Sequence, residues 1–141
     1  MKSQNFRTES EEETIALGEQ LATELPERVV ILLIGNLGAG KTTLAKGLVK
    51  GRGAATVDEV SSPTFTLIHE YGPGVHHIDL YMLDDPRQVA NLGLDDIFDR
   101  GGLVLVEWGE RFPQLMPETR YEIELTRTGE NSRNVQLREI S

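Results

Sequence analysis

The 141-residue chain contains no cysteine. This absence excludes disulfides, thiolate zinc sites and cysteine nucleophiles, so the fold must be stabilised by its hydrophobic core. No apolar run approaches the roughly 20 residues of a membrane span, and the N-terminus MKSQNFRTESEEE lacks the apolar segment of a signal peptide. We therefore expect a cytoplasmic protein with no membrane partner.

Basic residues are also scarce. Fourteen lysines and arginines stand against 23 aspartates and glutamates, which gives a net charge of -9 and a pI near 4.8. Such a surface is unsuited to holding a polyphosphate backbone, so we expect no DNA partner, and contact with RNA only through other proteins. The length predicts a single domain over residues 1–141, so any nucleotide site shares that domain with every other activity.

The most informative stretch runs from Gly35 to Thr43 and fits the pattern G-x-x-x-x-G-K-[ST]. An apolar run typical of a strand precedes it, and apolar residues at helical spacing follow it. Gly38 and Gly40 allow the backbone N–H groups to point at phosphate oxygens, while the helix N-terminus adds its positive dipole end. Lys41 would reach the terminal phosphates, and the Thr42 hydroxyl would ligate Mg²⁺. The predicted ATP-binding residues here are Gly38, Ala39, Gly40, Lys41, Thr42 and Thr43.

Two carboxylates stand at the ends of predicted strands, where ligands of open α/β sheets collect. Glu107 follows the apolar run 103–106, as an acid does in a Walker B strand, and Asp79 ends a second strand. Asp79 could instead be a cap or edge charge. His77 is interpreted as a structural or hydrogen-bonding strand residue and not as a metal ligand, because no second histidine or carboxylate shows zinc-binding spacing with it. Trp108 is open to interpretation either as a packing residue or as part of the site.

The remaining pattern predicts a small α/β protein. Capping-box spacing at Ser10 begins a helix from Glu11 to about Leu25, and the acidic cluster at its start is interpreted as favouring the helix N-terminus. Alternating residues predict an antiparallel hairpin over 66–80 and another over 121–140, whereas residues 1–9 are expected to be loose. The predicted fold is a P-loop NTPase-like, three-layer α/β domain with a mixed, partly antiparallel central sheet.

The motifs together resemble a known family. They are GNLGAGKTT at 35–43, SPTFTL at 62–67, HIDLY at 77–81 and VEW at 106–108, in order and at family-like spacing. The chain resembles the TsaE family, formerly YjeE, the bacterial ATPases required to form threonylcarbamoyladenosine in tRNA. The resemblance implies ATP and ADP as ligands, Mg²⁺ as cofactor, and TsaD and TsaB as partner proteins that hold the tRNA.

The resemblance also implies roles for individual residues. It makes Lys41, Asp79 and Glu107 the catalytic residues, with Thr42, Glu107 and Asp79 near the metal. The matched motifs further imply an ATP-binding role for Glu11 and Thr14, and a switch or partner-coupling role for Ser62, Thr64, Tyr81 and Trp108. Two positions depart from the family pattern. Asn36 stands where the family commonly has an aspartate or glutamate. Met82 stands where the family usually has an arginine, beside the strand end at Asp79.

Two other functions fit the same loop. A small-molecule P-loop kinase would need an acceptor pocket and lid arginines, for which Arg87, Arg100 and Arg111 are the candidates. A nucleotide-dependent assembly module would hydrolyse ATP only incidentally. Such a module should tolerate loss of Glu107, whereas an ATPase should not.

Overall fold

The computed structural model describes residues 3–72, 74–100 and 102–141. Within them the chain forms a seven-stranded sheet in the order β1-β7-β6-β2-β5-β4-β3. The strands are β1 (Ser3–Thr8), β2 (Val29–Ile34), β3 (Ile68–Glu70), β4 (Val75–Asp79), β5 (Leu103–Glu107), β6 (Arg120–Arg127) and β7 (Arg133–Ile140). The helices are α1 (Glu11–Glu24), α2 (Lys41–Gly51), α3 (Pro86–Ala90) and α4 (Leu94–Arg100), with short 3-10 turns at Val57–Glu59, Gly109–Arg111 and Pro113–Leu115.

The sheet is mixed. Strands β4, β5, β2 and β6 run parallel to one another, whereas β3, β7 and β1 are antiparallel to their neighbours. Both predicted hairpins are present, as β3 with β4 and as β6 with β7. The mixed, P-loop NTPase-like α/β fold expected from the sequence is therefore confirmed.

Helices cover both faces of the sheet and make the three layers. On one face α1 and α2 pack over a core that includes Ile31 and Leu105, and on the other α3 and α4 pack over Ile78 and Val106. Glycines let α1 and α2 approach closely, because a Cβ on Gly47 would lie 2.1 Å from the carbonyl oxygen of Ile15. No helix in the described ranges is long and apolar enough to cross a membrane.

The N-terminal segment differs from the prediction of a loose stretch over 1–9. Residues 3–8 form β1, an edge strand paired antiparallel with β7, and residues 1 and 2 lie outside the described residues. The prediction was wrong because this stretch is polar and only Phe6 and Thr8 turn toward the interior. Its pairing partner is supplied by β7, more than a hundred residues later, and no local pattern reports that contact.

Helix α1 begins as expected. Ser10 is its N-cap, with the side-chain oxygen accepting from the backbone N–H of Glu13 at 3.1 Å. The Glu13 carboxylate accepts in turn from the N–H of Glu9 at 2.9 Å. These bonds satisfy free backbone donors at the helix start.

Candidate nucleotide and metal site

The glycine-rich loop joins β2 to α2. Gly38 and Gly40 have φ angles of 81° and 104°, in the left-handed region that favours glycine, and α2 begins directly at Lys41. Arg133 of β7 donates to the loop carbonyls, from Nε to Ala39 at 2.8 Å and from Nη2 to Gly38 at 3.3 Å. The loop is thus held by a strand two positions away from β2 in the sheet, and the N-terminus of an 11-residue helix lies beside it.

Lys41 is buried, with 5% of its surface exposed, and its Nζ has no hydrogen-bond partner in the described part of the chain. The ammonium lies 3.7 Å above the centroid of the Trp108 ring. Burial lowers the pKa of Lys41, while the nearby carboxylates of Glu107, Glu110 and Asp79 oppose that shift. A buried cation without an acceptor is costly, so the arrangement favours an anion at this place.

The two predicted acids lie side by side. Asp79 ends β4 and Glu107 ends β5, and the parallel register pairs these residues with each other. They are 2% and 3% exposed. Because side chains alternate along a strand, Glu107 shares its face with Leu105, which packs in the core beneath α2. Both carboxylates therefore lie on the face of the sheet that α2, the helix of Lys41, covers.

Asp79 is held by the loop that precedes β3. Its Oδ2 accepts from the Thr64 hydroxyl at 2.9 Å and from the Ser62 hydroxyl at 3.3 Å. Its Oδ1 accepts from the backbone N–H of Tyr81 at 2.8 Å. The structure thus brings the predicted switch residues Ser62 and Thr64 into direct contact with a predicted catalytic acid.

Glu107 is held from within the sheet. Its Oε2 lies 2.6 Å from Nε2 of His77, which is fully buried. This contact agrees with the interpretation of His77 as a structural or hydrogen-bonding strand residue that shares one face of β4 with Asp79. Its partner Glu107 lies 30 residues later on β5, and the pattern of β4 alone does not identify that partner.

Trp108 belongs to a small stack beside the acids. Its φ of 66° is unusual for a residue other than glycine, and its ring centroid lies 5.2 Å from that of Tyr81. The Arg111 guanidinium sits 5.5 Å from the Trp108 ring and donates to the carbonyls of Leu80 and Tyr81, both at 2.7 Å. The stack thus links Tyr81, which follows β4, to Trp108, which follows β5 and contacts the Lys41 ammonium.

A cleft of about 220 Å³ opens beside the glycine-rich loop. It is lined by Glu11, Thr14, Gly40, Thr43, Asn131 and Arg133. The predicted ATP-binding residues at the start of α1 therefore do lie beside the glycine-rich loop. Thr42 is the second residue of α2 and is partly exposed.

Several residues of the site were missed by sequence reasoning. Glu110 lies near Lys41, burial raises the pKa of its carboxyl group, and its Oε1 is buried with no hydrogen-bond partner in the described ranges. Arg133 and Asn131 come from the C-terminal hairpin, about 90 residues beyond the loop. For these two residues no motif or spacing signals the contact.

The three arginines that could serve a kinase lid have partners within the chain. Arg87 pairs with Asp85 at 2.8 Å and Arg100 with Asp96 at 3.4 Å, while Arg111 is bonded to backbone carbonyls. The hydrogen bonds of Arg111 are thus made to the segment that follows β4.

Fold and site together define a P-loop NTPase-like α/β protein with two acids next to its glycine-rich loop. A sequence model of one family, the threonylcarbamoyl adenosine biosynthesis protein TsaE, matches residues 8–135. The chain is 39% identical over 138 residues to the tRNA threonylcarbamoyladenosine biosynthesis protein TsaE of Bacillus subtilis, covering 96% of this chain and 85% of that protein. The chain belongs to the TsaE family.

Two further similarities support this membership. The protein of the same name from Nostoc is 43% identical over 134 residues, covering 89% of this chain and 80% of the relative. The crystal structure of Bacillus subtilis YdiB superposes with a TM-score of 0.80 at 32% identity, covering 99% of this chain and 87% of YdiB. The resemblance noted in the four motifs is thereby confirmed over nearly the whole chain.

Proposed function

We propose that the protein binds ATP with Mg²⁺ and hydrolyses it, and that this activity supports TsaD and TsaB in forming threonylcarbamoyladenosine in tRNA. The observation that carries the proposal is the buried Lys41 ammonium, which has no hydrogen-bond acceptor in the described ranges. It lies at the start of α2, within the electrostatic reach of Asp79 and Glu107. The names of the relatives support the pathway, because they are tRNA threonylcarbamoyladenosine biosynthesis proteins.

The glycine-rich loop and α2 supply the phosphate site. Backbone N–H groups from Gly38 to Thr43 and the positive end of the α2 dipole would bind the phosphates, and Lys41 would add a full charge at the terminal one. Water then takes the terminal phosphoryl group and the bond to the β-phosphate oxygen breaks, which yields ADP and inorganic phosphate. In this chemistry the protein acts by positioning and charge neutralisation.

The residues present fit a magnesium ion. Mg²⁺ takes oxygen ligands and is usually held by one or two protein groups together with substrate phosphates. The Thr42 hydroxyl and the Glu107 carboxylate would hold it, with Asp79 adjacent, and the paired ends of β4 and β5 place both acids together. When bound, the ion neutralises charge on the phosphates.

The charge of the protein supports an indirect relation to tRNA. A net charge of -9 makes direct binding of a polyphosphate backbone unfavourable. Partner proteins would therefore hold the tRNA, while this chain couples its nucleotide state to them. Such coupling requires that bound ATP changes the affinity of this protein for its partners, and that bound partners change its affinity for ATP.

The test is hydrolysis of ATP by the purified protein, with and without TsaD and TsaB. We expect low turnover alone, higher turnover with both partners, and loss of turnover in Lys41→Ala and Glu107→Ala. Lys50→Ala is the matched control, because Lys50 lies on the same helix but is exposed and pairs with Glu19.

Two outcomes would contradict the proposal. Turnover unaffected by the partners, together with phosphate transfer to a small metabolite, would favour the kinase. Full support of tRNA modification by a Glu107→Ala protein that still binds ATP would favour the assembly module.

A further inference from the structure

We propose that His77 is a positioning residue for Glu107: it holds one carboxylate oxygen so that the other would be free to bind the metal ion. The inference rests on the proposed function, since it concerns the same acid. It assigns a role in the site to a side chain that the sequence pattern predicts only as structural or hydrogen-bonding.

The contact is short and enclosed. Nε2 of His77 lies 2.6 Å from Oε2 of Glu107, and the side chains are 0% and 4% exposed. A carboxylate oxygen accepts, so Nε2 carries the proton and donates. Hydrogen bonds to charged groups are stronger in enclosed sites than in water, so this one can fix the carboxylate plane.

The His77 ring makes no other hydrogen bond to the described residues. Nδ1 of His77 is buried and has no hydrogen-bond partner in the described ranges. Its neighbours in the register are Leu105 on β5 and His69 on β3, and the core beneath this face of the sheet is apolar. A buried polar ring costs free energy that an apolar side chain would not. Packing alone therefore does not explain histidine at this position, whereas its bond to Glu107 does.

The bond leaves half of the carboxylate available. It occupies Oε2, and the structure gives Oε1 no hydrogen bond from the described residues. Ligating carboxylates are usually oriented by such outer hydrogen bonds, and loss of one typically costs about 10-fold to 100-fold in metal affinity or activity. Without His77, Glu107 would sample other rotamers, and its free oxygen would meet the metal only part of the time.

A nearly isosteric pair of variants isolates the hydrogen bond. His77→Gln keeps an N–H donor at a similar reach, whereas His77→Met has a similar shape and no donor. Mn²⁺ serves as the probe of the Mg²⁺ site, its free concentration measured by electron paramagnetic resonance with saturating ADP. We expect His77→Met to weaken Mn²⁺ binding by about 10-fold or more and His77→Gln to recover most of it. ADP binding without metal should change little.

Two controls separate positioning from general damage. His76 is the preceding residue, faces the opposite side of β4 and lies 2.9 Å from the Glu70 carboxylate, so His76→Gln and His76→Met should leave Mn²⁺ binding unchanged. In a Glu107→Gln background, His77→Met should weaken binding no further, because the two residues act as one unit. Equal affinities of His77→Gln and His77→Met, or an equal loss in both backgrounds, would overturn the inference.

A third measurement applies if His77→Met does not fold. The chain has three histidines, so ¹⁵N spectra of their rings can be assigned. The His77 ring signals should shift in Glu107→Gln, and on adding Mg²⁺ to the ADP complex, while the His76 signals stay in place. Unmoved His77 signals would overturn the inference. Failure of the wild-type protein to bind Mn²⁺ with ADP would instead overturn the proposed function itself.

Discussion

The two acids of the site end neighbouring strands, yet they are held by different parts of the molecule. Glu107 is bonded to His77, a fully buried residue of the sheet. Asp79 is bonded to the hydroxyls of Ser62 and Thr64, which belong to a surface loop. The backbone N–H of Tyr81 holds the other oxygen of Asp79. The difference indicates that Glu107 is held by the sheet alone, whereas one oxygen of Asp79 is held by the loop.

The loop before β3 closes onto Asp79 through its backbone as well. Leu67 donates its N–H to the carbonyl of Pro63 at 2.6 Å and accepts from the N–H of Asp79 at 2.9 Å. Its φ of 70° lies in the left-handed region, which costs a residue with a side chain about 1 kcal/mol or more. Strain of that size next to an acid lowers the free energy needed to rearrange the loop.

Among the substitutions that test this comparison, Glu107→Gln should reduce ATP hydrolysis most, because it removes the charge of the acid that the sheet holds. We expect ATP hydrolysis to fall by about 100-fold or more, while the melting temperature and metal-free ADP binding change little. Turnover is measured by phosphate release, with Glu118→Gln as the exposed control. Hydrolysis within about threefold of wild type would contradict the proposal that Glu107 binds the metal ion.

Asp79→Asn should have the next largest effect on hydrolysis, and unlike Glu107→Gln it should also loosen the loop that precedes β3. Hydrolysis is expected to fall by about 10-fold to 100-fold, because the two loop hydroxyls lose a charged acceptor. Amide hydrogen exchange over 61–67 should speed up in this variant and stay unchanged in Glu107→Gln. If exchange in the loop responds equally to both variants, the two acids are not held independently.

Thr64→Val should have a moderate effect that ranks the two loop contacts. The Thr64 bond to Asp79 is 2.9 Å long and that of Ser62 is 3.3 Å. A hydrogen bond to a charged group contributes about 1.5 kcal/mol or more, so we expect kcat to fall by about 10-fold with KM for ATP nearly constant. Ser62→Ala should cost less. A larger loss in Ser62→Ala would show that Ser62, and not Thr64, is the contact on which Asp79 depends.

How far sequence reasoning reached depends on whether the signal was local. The glycine-rich loop, the cap at Ser10 and the acid after the apolar run of β5 are each carried by neighbouring residues, and the structure places them as expected. The pairing of Asp79 with Glu107 could also be anticipated, since parallel strands end at a common edge.

What escaped prediction comes from contacts between distant segments. Arg133 reaches the loop carbonyls from β7, and β1 exists because β7 offers it an edge. The bond between His77 and Glu107 depends on the register of β4 against β5, which a single strand's pattern does not encode. The contact of Lys41 with Trp108 likewise depends on the left-handed backbone at Trp108.

Phe65→Ser should have the smallest effect and tests how the loop is closed. The Phe65 side chain is 88% exposed, and the contacts that hold Asp79 come from hydroxyl groups and the backbone of neighbouring residues. Replacing an exposed side chain usually changes the free energy of unfolding by less than about 0.5 kcal/mol. We therefore expect stability in urea and hydrolysis by the isolated protein to match wild type. A clear fall in hydrolysis without a loss of stability would mean that the Phe65 ring packs onto the site when ATP is bound. The loop-held acid would then be controlled by an apolar contact as well as by hydrogen bonds, and its difference from Glu107 would be greater than the two hydroxyl contacts indicate.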